Sequence, residues 1–337
     1  MLSLSEQFPF RLDDFINANQ LILCLERQQS FASHFSFSYL LLRNIRSVLI
    51  ANKTKQGQKK RVSVISANHD YNHFKSILKK HNIDADNLIR DGQLEIVCIR
   101  FDNPIEEHSK CKYMSWEQLQ SWMNSFQSFK ESSSPINHTI SMNNTHTSSN
   151  NLIEIELMID DLEMLELLSP SNSACRSFLS NCIASMYQPY NTDSNDHIPV
   201  SSEVIPTSIP ASEVLKIRNI CIFGRQAMDS EPDMRPMSLN LAADSTLIDQ
   251  SSAGWTHFNG VSRLDESGQP ILSEYLLYRA DVVVTVSPLE TGYASDIHGR
   301  IRTSIAHKNR NQGKRQQNLL FKATDSSVVC SVVGEGK

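Results

Sequence analysis

Residues 19–45, NQLILCLERQQSFASHFSFSYLLLRNI, decide how this chain folds. Residues 20–25 form an apolar run typical of a buried strand, and residues 34–45 repeat apolar side chains at helical spacing. A nucleotide-binding strand–loop–helix unit would carry G-x-x-x-x-G-K-[ST] between them, because its glycines let backbone N–H groups wrap phosphates and its lysine reaches the terminal ones. Here the connection is ERQQSFAS, and the first glycine of the chain is Gly57. We therefore expect a phosphate-binding scaffold without a phosphate loop.

Strand and helix patterns alternate along the rest of the chain. Further strands are predicted at residues 62–65, 94–99, 152–159, 217–223 and 280–286, and further helices at 71–81, 174–186 and 271–279. Residues 82–90 favour a second short helix or a turn, and residues 162–168 begin a leucine-rich helix or a helical turn. Residues 47–50 add an apolar run after the first helix, and residues 53–61 form a basic loop. Two short strands, 319–323 and 327–333, close the chain as an antiparallel hairpin. This order predicts an α/β fold with a mostly parallel central sheet, flanked by helices and ending in that hairpin.

Length and composition favour a single domain over residues 1–337. A chain of 337 residues that is 40% hydrophobic can bury one sizeable core and still carry insertions. Three polar stretches, 128–151, 188–215 and 225–270, have few large apolar side chains, so we predict disordered or irregular insertions there.

Charge and cysteine content limit the classes of function. The net charge of −5 gives no general case for nucleic acid or anionic membrane, so any basic surface must be local. The seven cysteines form no C-x-x-C pair, and Cys24, Cys98 and Cys221 lie in apolar runs, which predicts buried free thiols in a reducing compartment. No apolar run approaches the ~18 residues of a membrane span, and acids interrupt the N-terminal stretch. We expect a soluble intracellular protein that does not enter membranes.

Asp160 and Asp161 directly follow a predicted strand, in LIEIELMIDDL. An acid at that strand end orients magnesium or the attacking water in P-loop ATPases. An aspartate there can equally cap the helix that follows. Both interpretations stay open, and the sequence indicates no catalytic residue, metal site or cofactor.

The segment 288–299, PLETGYASDIHG, is the most distinctive in the chain. It places Ser295, Asp296 and His298 within four residues. The side chains of a Ser/His/Asp triad converge from separate segments, so this spacing does not favour hydrolysis. We predict a structural loop or subunit contact, formed by Thr291, Gly292, Ser295, Asp296, His298 and Gly299.

Two basic clusters could contact phosphates through charge alone, giving salt-sensitive binding without base recognition. The first is Lys59, Lys60 and Arg61, at the end of the basic loop. The second, with no acid between Asp296 and Asp325, is Arg300, Arg302, Lys308, Arg310, Lys314 and Arg315. Solvated turns are the alternative interpretation of both.

Three segments resemble the Elongator complex protein 6 family of RecA-like subunits. They are LILCLERQQSFASHFSFSYLLLRNIRSVLIA, LIEIELMIDDLEMLELL, and ADVVVTVSPLETGYASDIHG with the closing LLFKATDSSVVCSVVGEG. Together they cover about half of the chain.

The resemblance implies a single RecA-like domain that assembles with Elongator subunits four and five into a hetero-hexameric ring. In that family the ring binds tRNA and joins the catalytic subcomplex that builds 5-carboxymethyl-type modifications on wobble uridines. We therefore expect a non-catalytic subunit without a cofactor, in the cytoplasm and with the nucleus as a second location. The alternatives are a divergent ATPase using Asp160 or Asp161 with a loop at residues 30–33, and a stand-alone RNA-binding module.

Overall fold

The computed structural model describes residues 19–27, 35–53, 59–99, 110–124, 151–187, 213–226, 271–289, 296–305, 316–323 and 328–332. The strands are β1 (Gln20–Arg27), β2 (Lys59–Ser66), β3 (Leu94–Ile99), β4 (Lys112–Met114), β5 (Asn151–Asp160), β6 (Glu213–Gln226), β7 (Val282–Ser287), β8 (Gly299–Ile305), β9 (Gln316–Ala323) and β10 (Val328–Val332). The helices are α1 (Phe35–Lys53), α2 (Tyr71–Lys80), α3 (Ala85–Arg90), α4 (Trp116–Asn124), α5 (Leu162–Leu168), α6 (Asn172–Met186) and α7 (Leu272–Leu277). None of these helices is long and apolar enough to cross a membrane.

The strands form one sheet in the order β10-β9-β8-β7-β1-β6-β5-β2-β3-β4. β1 pairs in parallel with β7, and β2, β3 and β4 pair in parallel with one another. From β7 onward the pairing is antiparallel, through β8 and β9 to β10. The predicted fold class is confirmed: a mostly parallel α/β sheet with an antiparallel C-terminal hairpin.

Two compact units can be distinguished by their internal contacts, and the first comprises Met1–Arg43, Met158–Leu167 and Cys221–Lys337. In it β1 and β7 pair with Ile22 opposite Val282 and Cys24 opposite Val284. Asp281 fixes this register, because its Oδ2 accepts the Leu21 N–H at 2.9 Å and its own N–H donates to the Leu21 carbonyl at 2.8 Å. The β-branched run of β7 is buried on both faces, as expected of an interior strand with neighbours on both sides.

The second unit comprises Asn44–Leu157 and Leu168–Ile220. In it α2 buries Phe74 and Leu78, one helical turn apart, and Asp70 caps the helix by accepting the His73 N–H at 3.2 Å. Asp84 caps α3 by accepting the Asp86 N–H at 2.9 Å. These caps explain why two short helices form between β2 and β3.

Several local predictions are wrong. The first helix does not stop before the apolar run at residues 47–50 but continues to Lys53, since Ile45 and Val48 are buried on the same face. β2 begins at Lys59, so the end of the predicted basic loop is a strand. β6 runs from Glu213 to Gln226 and so extends into both flanking stretches predicted as insertions.

Three elements were not predicted at all: β4, α4 and β8. β8 occupies the beginning of what the sequence analysis treats as a basic loop after β7. Most of the three predicted insertions lies outside the described residues. The burial predicted for Cys24, Cys98 and Cys221 is confirmed.

Candidate functional site

The carboxyl end of β1 carries a carboxylate rather than a phosphate loop. Glu26 is half-buried there, and its Oε1 accepts a hydrogen bond of 2.9 Å from the hydroxyl of Ser36. Ser36 is the second residue of α1, so a negative charge is held beside the N-terminal turn of that helix. A helix N-terminus favours an anion through its unpaired N–H groups and its dipole. In this protein the anion is the side-chain carboxylate of Glu26.

Asp160 and Asp161 lie at the end of β5, as predicted. Asp160 is buried, with 3% of its surface exposed. Asp161 adopts a left-handed backbone conformation with φ of 60°, and its Oδ1 accepts the Met164 N–H at 3.1 Å. Its carbonyl accepts the Leu165 N–H at 3.0 Å, so Asp161 acts as the N-terminal cap of α5. This geometry supports the capping interpretation for Asp161 and leaves Asp160 as the acid to test.

β6 ends against the same helices. Phe223 packs edge-on against Phe37 of α1, with ring centroids 4.9 Å apart. Next to it, an added Cβ on Gly224 would lie 3.1 Å from Glu163 Oε1 and 3.2 Å from Leu162 Cβ. Glycine at this position therefore lets β6 approach α5 closely. No local sequence pattern indicates this contact.

The chemistry of this strand-end region is acidic and tightly packed. Four acids lie in this region. Glu26 is near the end of β1, Asp160 ends β5, and Asp161 and Glu163 lie at the start of α5. Within the described ranges no group of three His, Cys, Asp or Glu side chains could hold a metal ion. Residues 28–34, which include the loop that a divergent ATPase would use, lie outside the described residues.

The distinctive segment before β8 is described only in part. Thr291, Gly292 and Ser295 lie outside the described residues. The His298 N–H donates to the Phe321 carbonyl at 2.8 Å. Lys322 Nζ forms an ion pair with Asp296 and donates a hydrogen bond of 3.1 Å to its Oδ1.

Gly299 begins β8 in very close contact with its neighbours. A Cβ there would lie 2.3 Å from the Ser287 carbonyl oxygen and 2.7 Å from Phe321 Cε1. The start of β8 therefore requires glycine, because it lies between the backbone of β7 and the ring of Phe321. Gly299, His298 and Asp296 thus all join the start of β8 to its neighbouring strands.

Two of the three residues of the first basic cluster contact carboxylates of neighbouring strands. Lys59 is exposed at the start of β2. Lys60 Nζ lies 3.4 Å from Glu154 Oε2, and Arg61 Nε donates to the Gly92 carbonyl at 2.9 Å. Arg61 also lies 3.9 Å from Glu95, which Lys112 contacts at 2.6 Å. The charges of Lys60 and Arg61 are thus shared with carboxylates.

The second basic cluster is divided by the fold. Arg300 and Arg302 are half-buried residues of β8, not loop residues as predicted, and Arg302 Nε donates to Asn318 Oδ1 at 3.3 Å. Lys308, Arg310, Lys314 and Arg315 lie outside the described residues. Lys322 of β9, which the sequence analysis did not name, lies on the same face as Arg300. Its signal was the alternation of the buried Leu319 and Phe321 with the half-buried Leu320 and Lys322 in the final strand pattern.

Burial shifts the pKa of two thiols, those of Cys24 and Cys330, away from the thiolate form. Burial raises the pKa of the Cys24 thiol well above its usual value, and nearby Cys221 and Glu26 raise it further. Burial also raises the pKa of Cys330 to about 12. A nucleophilic cysteine needs the opposite shift, toward the thiolate.

No family model and no curated protein sequence matches the chain. Among solved structures, a KaiC-like protein from the hyperthermophilic archaeon Pyrococcus horikoshii aligns with a TM-score of 0.44 and 8% identity, covering 94% of this chain and 91% of that one. An uncharacterized protein from the same organism, in complex with an unknown peptide, aligns with a TM-score of 0.43 and 12% identity, covering 99% and 100%. Neither likeness bears on what this chain binds or does.

Proposed function

We propose that this chain is a non-catalytic subunit of an Elongator-type complex, in which it joins subunits four and five in a hetero-hexameric RecA-like ring. The assembled ring would bind tRNA and support the catalytic subcomplex that modifies wobble uridines. The chain itself would turn over no substrate and hold no cofactor, and would act in the cytoplasm, with the nucleus as a second location.

The observation that carries the proposal is the hydrogen bond between Ser36 and Glu26. A phosphate group bound at the start of α1 would need backbone N–H groups and a lysine at the end of β1. This chain has a carboxylate at that strand end, 2.9 Å from a hydroxyl of the helix, and its connecting segment contains neither glycine nor lysine. A scaffold retained without its phosphate chemistry is what an assembly subunit needs.

The family part of the proposal rests on the sequence resemblance described above. Its three segments correspond to β1 with α1, to β5 with α5, and to β7 with the antiparallel strands that follow. A ring of unlike subunits uses heterologous contacts, in which each protomer offers different surfaces to its two neighbours.

Co-expression tests this proposal directly. The full chain is expressed alone and together with subunits four and five, and each preparation is measured by size-exclusion chromatography with light scattering. We expect the chain alone to be poorly soluble and recovered only in small amounts, and a hexamer containing all three chains on co-expression. A well-behaved monomer that ignores both partners would overturn the proposal. If that monomer binds RNA tightly, the chain is a stand-alone RNA-binding module.

A further inference from the structure

The two edges of the sheet differ in length and charge. β4 forms one edge with three residues, Lys112–Met114, the first of them a lysine. Short edge strands and edge lysines both keep a sheet from pairing with another chain. β10 forms the other edge with five residues, VVCSV, which include neither a charge nor a proline. Within the part of the chain that the structure describes, β10 therefore ends the sheet without these protective features.

The antiparallel register shows which backbone groups of β10 face outward. The His298 N–H donates to the Phe321 carbonyl, so the N–H and C=O groups of Phe321 point toward β8. Cys330 lies opposite Phe321 on the other side of β9. Since the groups of Phe321 point away from it, this is a non-hydrogen-bonded pair, and the groups of Cys330 point away as well. Cys330 therefore directs its N–H and C=O toward the open edge, and by alternation Val328 and Val332 do the same.

These outward-facing groups are self-complementary about Cys330. When two copies of β10 run antiparallel with their Cys330 residues opposite each other, Val328 of each copy lies opposite Val332 of the other. All three pairs then bring outward-facing groups together, and each pair exchanges two hydrogen bonds. A shift of one residue would place outward-facing groups opposite inward-facing ones, and a shift of two would leave a residue unpaired at each strand end.

The side chains of β10 also suit a second copy. Val329 is 56% exposed and Ser331 is exposed on the same face, whereas Cys330 is half-buried on the other face. In the two-fold arrangement Val329 of each copy lies opposite Ser331 of the other, in a non-hydrogen-bonded pair whose side chains approach closely. Neither side chain is charged, so no repulsion opposes the contact. The sheet is already antiparallel through β8, β9 and β10, and the added strand continues that pattern.

We propose that β10 pairs with β10 of a second copy of this chain, antiparallel and about a two-fold axis at Cys330. Such an isologous contact uses the same surface of both subunits and closes at the dimer. One short strand per copy is a small contact beside the roughly 1,200–2,000 Å² of a stable interface, so we expect a reversible dimer with micromolar affinity. The inference does not rest on the proposed function, because it concerns the chain on its own.

Charges placed across the axis test the register. Val329→Glu/Ser331→Glu puts like charges opposite each other, and Val329→Glu/Ser331→Lys puts opposite charges there. Both positions are exposed, and both variants share the carboxylate opposite Lys322 of β9, so they differ only at position 331. Sedimentation velocity with fluorescence detection, which needs little protein, follows each full chain over a concentration series reaching the micromolar range. We expect the dissociation constant of the dimer to rise about tenfold or more in the like-charge variant, and to stay within about threefold of the wild type in the other.

A substitution at the axis tests the backbone pairing. Cys330→Pro removes an outward-facing N–H, and an edge strand tolerates proline where that group faces solvent. Cys330→Ala keeps the N–H and is the matched control. We expect the dimer to be lost in Cys330→Pro and kept in Cys330→Ala, with unchanged circular dichroism in both. The two charge variants test the same contact independently, because they alter only exposed side chains.

Three outcomes overturn the proposal. A wild-type chain that is monomeric throughout the series lacks the contact. An equal loss of the dimer in both charge variants, or a loss in neither, shows that position 329 does not meet position 331 across an axis. If the chain alone is monomeric and both charge variants fail to join subunits four and five, β10 binds a different protein instead of a second copy.

The same preparations separate this inference from the proposed function. Assembly with subunits four and five is measured in parallel by size-exclusion chromatography. A dimer that responds to the charge variants as expected, in a chain that forms no hexamer, supports the β10 contact and overturns the ring. A hexamer formed by a chain whose dimer ignores the charge variants does the reverse.

Discussion

The Ser36 hydroxyl donates a 2.9 Å hydrogen bond to Oε1 of Glu26, and this bond joins the first turn of α1 to the end of β1. The N-terminal turn of a helix attracts negative charge. In this protein the charge belongs to a side chain, and a phosphate approaching the same turn would be repelled by it. We therefore predict that this helix turn does not bind the phosphates of a nucleotide.

The full chain should not bind Mg–ATP at micromolar concentrations. Glu26→Gln removes the repelling charge but restores neither glycine nor lysine to the connecting segment, so we expect it also to remain without micromolar affinity. Isothermal titration calorimetry of both proteins checks this.

The divergent-ATPase alternative makes the opposite prediction. It requires micromolar ATP affinity in the wild type and its loss in Asp160→Ala. Asp91→Ala, which changes the cap residue after α3, serves as the control for loss of one carboxylate. Affinity lost in Asp160→Ala and kept in Asp91→Ala would establish that alternative.

Gly299→Ala should destabilise the fold by at least about 1–3 kcal/mol, the usual cost of overpacking. The added methyl group would lie 2.3 Å from the Ser287 carbonyl oxygen and 2.7 Å from Phe321 Cε1, both closer than atoms pack. Chemical denaturation with urea measures the change.

A second variant identifies which neighbour is responsible. Gly299→Ala/Phe321→Leu removes the ring but leaves the backbone carbonyl in place, so we expect no recovery of stability. Gly224→Ala, where the nearest atom is the side-chain oxygen of Glu163 at 3.1 Å, should cost less. Full recovery in the double variant would show that the ring, not the strand backbone, sets the limit.

The parts of the fold predicted correctly are those with strong local patterns. β1, β3, β5 and β7 are apolar runs of strand length, and buried central strands of parallel sheets have that signature. α4 was missed although its signal is present. Ser115 and Gln118 form a capping box, in which the Ser115 N–H donates to Gln118 Oε1 at 2.9 Å and the Gln118 N–H to Ser115 Oγ at 3.3 Å.

β8 could not be predicted in the same way. Its sequence, GRIRTSI, alternates arginine with apolar residues and resembles a basic loop as much as a strand. It is a strand because β7 and β9 pair with it on both sides, and β9 lies more than ten residues away in sequence. Lys322 shares a face with Arg300 only through that pairing, so local sequence patterns could not bring these two cations together.

Stability should depend on pH through His81. Burial lowers the pKa of His81, and nearby Arg46 and Lys80 lower it further. The unfolded chain therefore binds a proton near the usual pKa of about 6.5, at a pH where the folded chain does not yet bind it. Since the folded pKa is depressed, this contribution is present above that pH and is lost as the pH falls.

His81→Asn should reduce the loss of stability on acidification below about pH 6.5. Lys80→Gln removes one of the neighbouring charges and should give an intermediate dependence. Urea denaturation at a series of pH values measures all three proteins. Identical pH dependence in the wild type and His81→Asn would contradict the prediction.

The last prediction concerns the buried carboxylate of Glu156. It is 4% exposed, accepts a 2.9 Å hydrogen bond from Asn219 Nδ2, and lies 3.8 Å from Arg218 Nε. Arg218 also donates to Glu154 at 2.9 Å. Among the described residues, Arg218→Met leaves the buried Glu156 with the Asn219 amide as its partner, and an incompletely compensated buried group costs about 1–3 kcal/mol. We expect a loss of that size in urea denaturation.

A double-mutant cycle shows whether the loss comes from the stranded charge. Glu156→Met in the Arg218→Met background removes that charge, so it should recover part of the stability, because apolar replacement of a whole buried pair is often neutral. Arg90→Met, which breaks the exposed pair with Asp91, provides the comparison and should cost about 0–1 kcal/mol. Strictly additive effects of Arg218→Met and Glu156→Met would show that the two side chains do not interact, and that Asn219 alone keeps the carboxylate buried.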